Sequence, residues 1–138
     1  MTLKEIQNEI VAEFSFFEDW MQRYEYLIEL GKELPKLEKT YEVDANLIRG
    51  CQSKVWMHAE LNDQKLTLAA NSDAILTKGM VALLLRVFND QKPVDILNEE
   101  LFFIDQIGLK EHLSPTRANG LLAMVKQIKL YALALQKS

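Results

Sequence analysis

Apolar residues recur at helical spacing near both ends of the chain. The first such segment runs from Thr2 to Glu13, and a second follows it and ends near Gly31 and Pro35. Glycine commonly closes a helix and proline cannot continue one, so these two residues mark the end of the second helix. A last helix is predicted from Ser114, with its hydroxyl as N-cap and Pro115 at the first helical position.

Between these helices the period of the pattern changes to two. Apolar and polar residues alternate from Val55 to Leu61, and Leu66, Leu68 and Ala70 repeat the alternation after a predicted tight turn at Asn62-Asp63. This alternation is typical of half-buried antiparallel strands. The segment from Asn46 to Arg49 is predicted to add a third strand.

A central helix is predicted after the strands. Ser72-Asp73 is the expected start, because a hydroxyl can cap a helix and a carboxylate is favourable at its positive end. The segment that follows is apolar nearly all round and is therefore expected to be buried. Residues 34 to 45 are predicted to form a surface loop, and 101 to 107 a short helical piece ended by Gly108.

Helices on both sides of a compact strand block predict an α+β fold. We expect a small antiparallel sheet of about three strands with helices packed on one face. A chain of 138 residues is long enough for one ordinary core, so a single domain spanning 1–138 is predicted.

Charge and composition exclude several functions. With 16 Lys+Arg and 20 Asp+Glu the net charge is -4, and no long basic run is present, which argues against nucleic acid as a partner. No apolar stretch approaches a membrane span, and the N-terminus lacks the layout of a signal peptide. A cytoplasmic location, where a lone thiol stays reduced, is therefore expected.

Cys51 is the only cysteine and lies in a polar break before the strands. Free cysteines are usually buried and serve only as packing. Here Gly50, Gln52 and Ser53 favour an exposed loop, and the positive charge of Arg49 favours the thiolate. Both interpretations remain open on these residues alone. A single thiol does exclude an iron–sulfur cluster or a zinc knuckle bound by this chain alone.

Other candidate residues have ordinary structural explanations beside the functional ones. A cysteine hydrolase would need a histidine base, but nothing in the spacing places His58 or His112 near the thiol. Arg117 has the wrong charge for the first turn of a helix, which suggests a function, although surface arginines often only pair with acids. Asp73 is explained by a helix start.

Four motifs in order give the chain a specific resemblance. They are Leu30-Gly31-x-x-Leu34-Pro35, then Gly50-Cys51-Gln52-Ser53-x-Val55-Trp56, then Asn71-Ser72-Asp73-Ala74 with Lys78-Gly79, and finally His112-Leu113-Ser114-Pro115-Thr116-Arg117-x-Asn119-Gly120-Leu121. The chain resembles the SufE family of sulfur acceptors, which includes the CsdE proteins. The resemblance spans essentially the whole chain.

The resemblance implies a fold shared with the scaffold protein IscU and a role as a sulfur carrier that is not itself an enzyme. Family members take sulfur from a cysteine desulfurase, stimulate it, and pass the sulfur to an iron–sulfur scaffold complex. Cys51 would be the persulfide acceptor. Pyridoxal phosphate would belong to the desulfurase, of the SufS or the CsdA type, and this chain would hold no cofactor or metal.

The resemblance also assigns supporting roles around the thiol. Arg117 and Asp73 correspond to family residues near the reactive loop, where they would position the loop or contact the desulfurase. The remaining expected site residues belong to the loop itself and are Arg49, Gly50, Gln52 and Ser53. Asn71 and Lys54 depart from the residue types common in the family.

Two alternatives remain open. One is an autonomous cysteine-dependent hydrolase or thiol reductase, which needs a base within reach of Cys51. The other is an interaction module with an inert cysteine. For the sulfur carrier we expect Cys51 to lean into an apolar pocket at rest and to be drawn out by the desulfurase.

Overall fold

Two long helices form the N-terminal part of the fold. The computed structural model describes residues 1–136, with α1 at Leu3–Ser15 and α2 at Trp20–Lys32. Thr2 caps α1, because its hydroxyl accepts the Glu5 N–H at 3.1 Å while the Glu5 carboxylate accepts the Thr2 N–H at 2.9 Å. The two predicted N-terminal helices are thus present.

A single β-hairpin follows. Strand β1 (Val55–Asn62) pairs antiparallel with β2 (Lys65–Ser72), in a register that joins Val55 to Ser72. The turn consists of Asp63 and Gln64, both with positive φ (51° and 66°), which matches the twist of a two-residue hairpin. It lies one residue later than the predicted turn.

The predicted third strand is wrong. Asp44–Asn46 forms a 3₁₀ turn, and Leu47 makes only an isolated bridge to Trp56. The Ile48 N–H then donates to the Val55 carbonyl at 2.9 Å, after which Gly50, with φ at 93°, turns the chain away from the sheet. The pairing therefore ends before a strand can form. The sheet has two strands, and the α+β class is confirmed.

The remaining helices pack around this hairpin. The central helix α3 is followed by three short helices and by the long C-terminal helix. They are α3 (Ile75–Phe88), α4 (Pro93–Asn98), α5 (Phe103–Gln106), α6 (Leu109–His112) and α7 (Pro115–Gln136). The Ser114 hydroxyl accepts the Arg117 N–H at 3.3 Å, as predicted for the α7 N-cap. Within residues 1–136 no helix combines the length and apolar character needed to cross a bilayer.

The predicted helix start at Ser72-Asp73 is also wrong. Ser72 is the last residue of β2, and α3 begins at Ile75 after Ala74, without a side-chain cap. Ser72 and Asp73 instead bond to Lys54 across the hairpin. Long-range hydrogen bonds therefore replace the local cap that the sequence suggested.

The backbones of α2 and α3 come into direct contact at Gly79. A Cβ atom built on Gly79 would lie 2.3 Å from the Leu27 carbonyl oxygen, and one on Gly31 would lie 2.7 Å from the Gly79 nitrogen. No side chain fits at either position. Glycines at this crossing thus set how closely the two helices approach.

Polar contacts fix α3 and the C-terminal half against α1. Arg86 of α3 donates to the Glu13 carboxylate at 2.8 Å. The Tyr26 hydroxyl also donates to Glu13, and the burial of Tyr26 together with this hydrogen bond raises the pKa of Tyr26 to about 12. Gln7 is fully buried, and its side-chain oxygen accepts the Phe102 N–H at 2.9 Å. Neither contact was predicted from the sequence.

We expect two glycine-to-alanine changes to have opposite effects on stability. Gly79→Ala should lower the free energy of unfolding by about 2–3 kcal/mol, because the new methyl group forces α2 and α3 apart. Gly120→Ala, in the interior of α7, should raise it by about 0.5–1 kcal/mol, because a Cβ there is 3.6 Å from its nearest neighbour and alanine favours helix. Guanidinium denaturation measures both, and equal destabilisation would contradict the proposed contact.

Candidate functional site

The thiol loop, residues 49–53, projects from a firmly bonded base. The Ile48 N–H donates to Val55 on one side. On the other, the Lys54 N–H donates to the Asp73 carboxylate at 3.0 Å, and the Lys54 carbonyl accepts the Ser72 hydroxyl at 2.8 Å and the Asp73 N–H at 3.2 Å. Both ends of the loop are therefore fixed to the hairpin. The Asp73 carboxylate holds the backbone at the base of the loop.

Gly50 directs the loop towards α7. Its φ of 93° is a conformation that L side chains rarely adopt, and its α-carbon lies beside Ala123. Arg49, Gly50 and Gln52 are exposed, whereas Ser53 is half-buried. The loop is thus a surface feature that turns one residue, Cys51, back towards the protein.

The Cys51 thiol is half-buried in a small pocket between the thiol loop, α3 and α7. Its Sγ atom donates a weak hydrogen bond to the Gly120 carbonyl at 3.5 Å. The pocket has a volume of about 20 Å³ and is lined, beside Cys51, by Gln52, Ser53, Thr77, Met80, Thr116, Arg117, Gly120 and Met124. Met80 and Met124 are buried and form its apolar part. This agrees with the expectation that Cys51 leans into an apolar pocket at rest.

Burial raises the pKa of the Cys51 thiol above its ordinary value of 9.0. Arg49 is exposed to solvent, and Arg117 lies exposed at the pocket. Neither cation offsets the burial. The resting thiol is accordingly protonated at neutral pH, and the thiolate that Arg49 was expected to favour is disfavoured in this arrangement.

The two histidines have other partners. His58 stacks on Tyr41 with ring centroids 3.9 Å apart, and its Nε2 lies 2.9 Å from the Glu60 carboxylate. His112 stacks on Trp20 at 4.0 Å. Of the described residues that line the thiol pocket, none is a histidine or a carboxylate. A hydrolase or thiol reductase would therefore lack its base in this resting arrangement.

Several pocket residues were not predicted as site residues. Thr77 and Met80 lie three positions apart on α3 and so share a face, while Gly120 and Met124 share a face of α7. Thr77 is a buried polar residue in a mostly apolar helix, and the sequence alone already showed this contrast. Over residues 1–136, no group of three or more His, Cys, Asp or Glu side chains could hold a metal ion.

Comparison with known proteins connects this site to a family. A family model described as "SufE: Fe-S metabolism associated domain" matches residues 8–132. An uncharacterized SufE-like protein of Rhizobium meliloti (strain 1021) is 39% identical over 127 residues, which cover 88% of this chain and 91% of that protein. The solution structure of a hypothetical protein from Thermus thermophilus has a TM-score of 0.77 at 21% identity and covers 100% of both chains, so the two share a fold.

Alkylation of Cys51 should depend on pH in the way its burial dictates. Because the raised pKa keeps the thiol protonated, the rate with iodoacetamide should be slow at neutral pH and should rise with a midpoint above 9.0. The same protein unfolded in urea should titrate at the ordinary value for cysteine and serves as the control. A midpoint in the folded protein below that of the unfolded chain would contradict the burial of the thiol.

Proposed function

The chain belongs to the SufE family, and on that premise we propose that it accepts sulfur on Cys51 from a cysteine desulfurase, stimulates that enzyme, and passes the sulfur to iron–sulfur cluster assembly. The observation that carries the proposal is the position of Cys51, the only thiol of the chain. Cys51 lies on a surface loop but points into a small pocket that shields it from solvent. An inert packing cysteine has no need of such a loop.

The proposed reaction is an exchange between a thiol and a persulfide. The Cys51 thiolate attacks the outer sulfur of the desulfurase persulfide, a new S–S bond forms on Cys51, and the S–S bond in the desulfurase breaks. The desulfurase thiolate leaves and takes up the proton that Cys51 lost. No net oxidation occurs, so neither an external oxidant nor a bound cofactor is required of this chain.

The dimensions of the pocket support the protection of a persulfide. A volume of about 20 Å³ exceeds the roughly 10–15 Å³ that a water molecule needs, so there is room for about one further atom beside Cys51. Met80 and Met124 keep that atom away from water and soluble thiols. The outer sulfur of a persulfide is a single weakly polar atom, somewhat larger than a water oxygen, and the flexible methionine side chains can adjust to it.

The neighbouring residues take distinct roles in this proposal. Asp73 holds the base of the thiol loop, and Gly50, Gln52 and Ser53 give the loop its shape. Arg49 and Arg117 are exposed beside the thiol and are available to contact the desulfurase. Pyridoxal phosphate belongs to that partner, and the transfer would take place in the reducing cytoplasm.

Incubation with L-cysteine and a catalytic amount of desulfurase, of either the SufS or the CsdA type, should add one sulfur atom to the protein. Intact mass spectrometry without reductant measures the addition, and peptide mapping should place it on Cys51. The faster turnover of L-cysteine should appear in the same mixture. Reduction should restore the original mass.

Cys51→Ser is the matched control, because it differs by one atom at the acceptor position. This variant should gain no sulfur and should not stimulate the turnover of L-cysteine by the desulfurase. Unmodified wild-type protein with both types of desulfurase, or full stimulation by Cys51→Ser, would overturn the proposal. Full stimulation by Cys51→Ser is the result expected of an interaction module whose cysteine is inert.

Gly120→Ala tests whether the pocket shelters the outer sulfur. The added Cβ would lie 3.6 Å from the Cys51 Sγ atom, which is ordinary contact for a thiol but fills the space that a second sulfur needs. The persulfide of this variant should be reduced by dithiothreitol several times faster than that of the wild type. Alkylation of the unmodified thiol at the wild-type rate is the internal control, and equal persulfide lifetimes would show that the outer sulfur lies elsewhere.

A further inference from the structure

A second concave surface lies on the other side of the start of α3 from the thiol pocket. It has a volume of about 470 Å³ and is formed by the end of α2, the segment 34–42, the end of β2 and the start of α3. We call it the lysine groove; it is lined by Ile28, Gly31, Lys32, Leu34, Pro35, Lys36, Leu37, Lys39, Glu42, Asn71, Ile75 and Lys78.

The charge of the lysine groove is opposite to that of the whole protein. Four lysines and one acid, Glu42, line it, whereas the net charge of the chain is -4. Lys32 is within 3.2 Å of Glu29, but both side chains are about two-thirds exposed, so the pair is weak. Over residues 1–136, no ion pair involves Lys36, Lys39 or Lys78. The groove therefore presents unneutralised positive charge.

The groove is also apolar between its lysines. Ile75 is 64% exposed on the first turn of α3 and lines the groove, although it is a large β-branched residue. Leu34 and Ile28 are half-buried there. A ligand that covers these side chains and carries negative charge would satisfy both properties of the surface.

An acidic protein segment fits these properties better than other anions do. The lysines at 32, 36 and 39 are exposed and flexible, as at the rim of a protein interface, and the groove has no buried polar side chain to orient a small molecule. Its lining has no aromatic ring on which a nucleic-acid base could stack. Apolar anchors flanked by Asp or Glu would match it.

We propose that the lysine groove binds an acidic segment of the protein that donates sulfur to Cys51. The inference rests on the proposed function, and α3 supplies the geometric link. Thr77 and Met80 face the thiol pocket while Ile75 and Lys78 face the groove, all within the first two turns of one helix. One partner can therefore cover both surfaces at the same time.

The test is direct binding to purified desulfurases of the SufS and CsdA types. The Cys51→Ser background removes sulfur transfer, and calorimetry gives the Kd. Lys36→Glu with Lys39→Glu should weaken binding about tenfold. Raising the salt from about 0.1 M to about 1 M shortens the Debye length from about 10 Å to about 3 Å. This should largely remove the difference in Kd between the double variant and the unreversed protein, which is Cys51→Ser with both lysines intact.

Lys65→Glu with Lys92→Glu is the matched control. Both lysines are exposed, the change in net charge is identical, and Lys65 lies at the opposite end of β2 from Asn71. This variant should bind within about twofold of the unreversed protein, since only distant, screened charge is altered. Ile75→Ser, compared with Val94→Ser on the first turn of α4, tests the apolar contact, and its effect should persist at high salt.

The outcomes separate the groove from the proposed function. Equal Kd values for the groove and control variants, or no binding of either desulfurase, would overturn the inference that the lysine groove binds the sulfur donor. Displacement by inorganic phosphate, and not by chloride at equal ionic strength, would make it a small-anion site and also overturn the inference. If binding depends on the groove but wild-type Cys51 acquires no sulfur, the groove is a binding site for the desulfurase and the proposed function fails.

Discussion

At Gly79 the backbone of α3 comes so close to the Leu27 carbonyl of α2 that no side chain can stand between them. This contact fixes the position of α3, which in turn packs against both the hairpin and α7. Thr77 and Met80 then reach the thiol from one side of the helix, and Ile75 and Lys78 reach the lysine groove from the other. Both surfaces therefore depend on a crossing that only glycine allows.

The thiol pocket combines protection with low reactivity. The burial that would shield the proposed persulfide also raises the pKa of the resting Cys51 thiol, because the charged form loses its solvation. No base or cation in the pocket offsets this effect. If Cys51 accepts sulfur as proposed, the partner must make its thiol nucleophilic, so the proposed transfer does not require a histidine beside Cys51 in this chain.

The sequence predicted those elements that depend on local pattern. Alternation indicated the hairpin, and Ser114 with Pro115 indicated the start of α7, because both signals lie within a few residues. The errors came from long-range contacts. Ser72 and Asp73 are residue types that commonly cap a helix, but both bond to Lys54, which lies 18 and 19 residues earlier in the chain.

Gln7 shows the same division between local and long-range information. It shares its helix face with Leu3, Ile10 and Phe14, so its burial could be predicted from the sequence. Its hydrogen bonds to Phe102 and Phe103 could not, because those residues are more than 90 positions away. The family motifs led to Cys51, but which side chains surround it depends on how α3 and α7 pack.

The length of the thiol loop limits what a partner must do. Cys51 lies three residues from Ile48 and three from Lys54, the two residues whose backbones are bonded to the hairpin. Three extended residues span about 10 Å at most, so Cys51 cannot move farther than that from Ile48 or Lys54 unless these bonds break. The pocket itself opposes this movement only weakly, since the Sγ hydrogen bond to Gly120 is long and a thiol is a poor donor. In the proposed transfer, the desulfurase would therefore have to bring its persulfide close to the surface of this protein and hold it there. That requirement favours contacts outside the loop, on rigid elements such as α3.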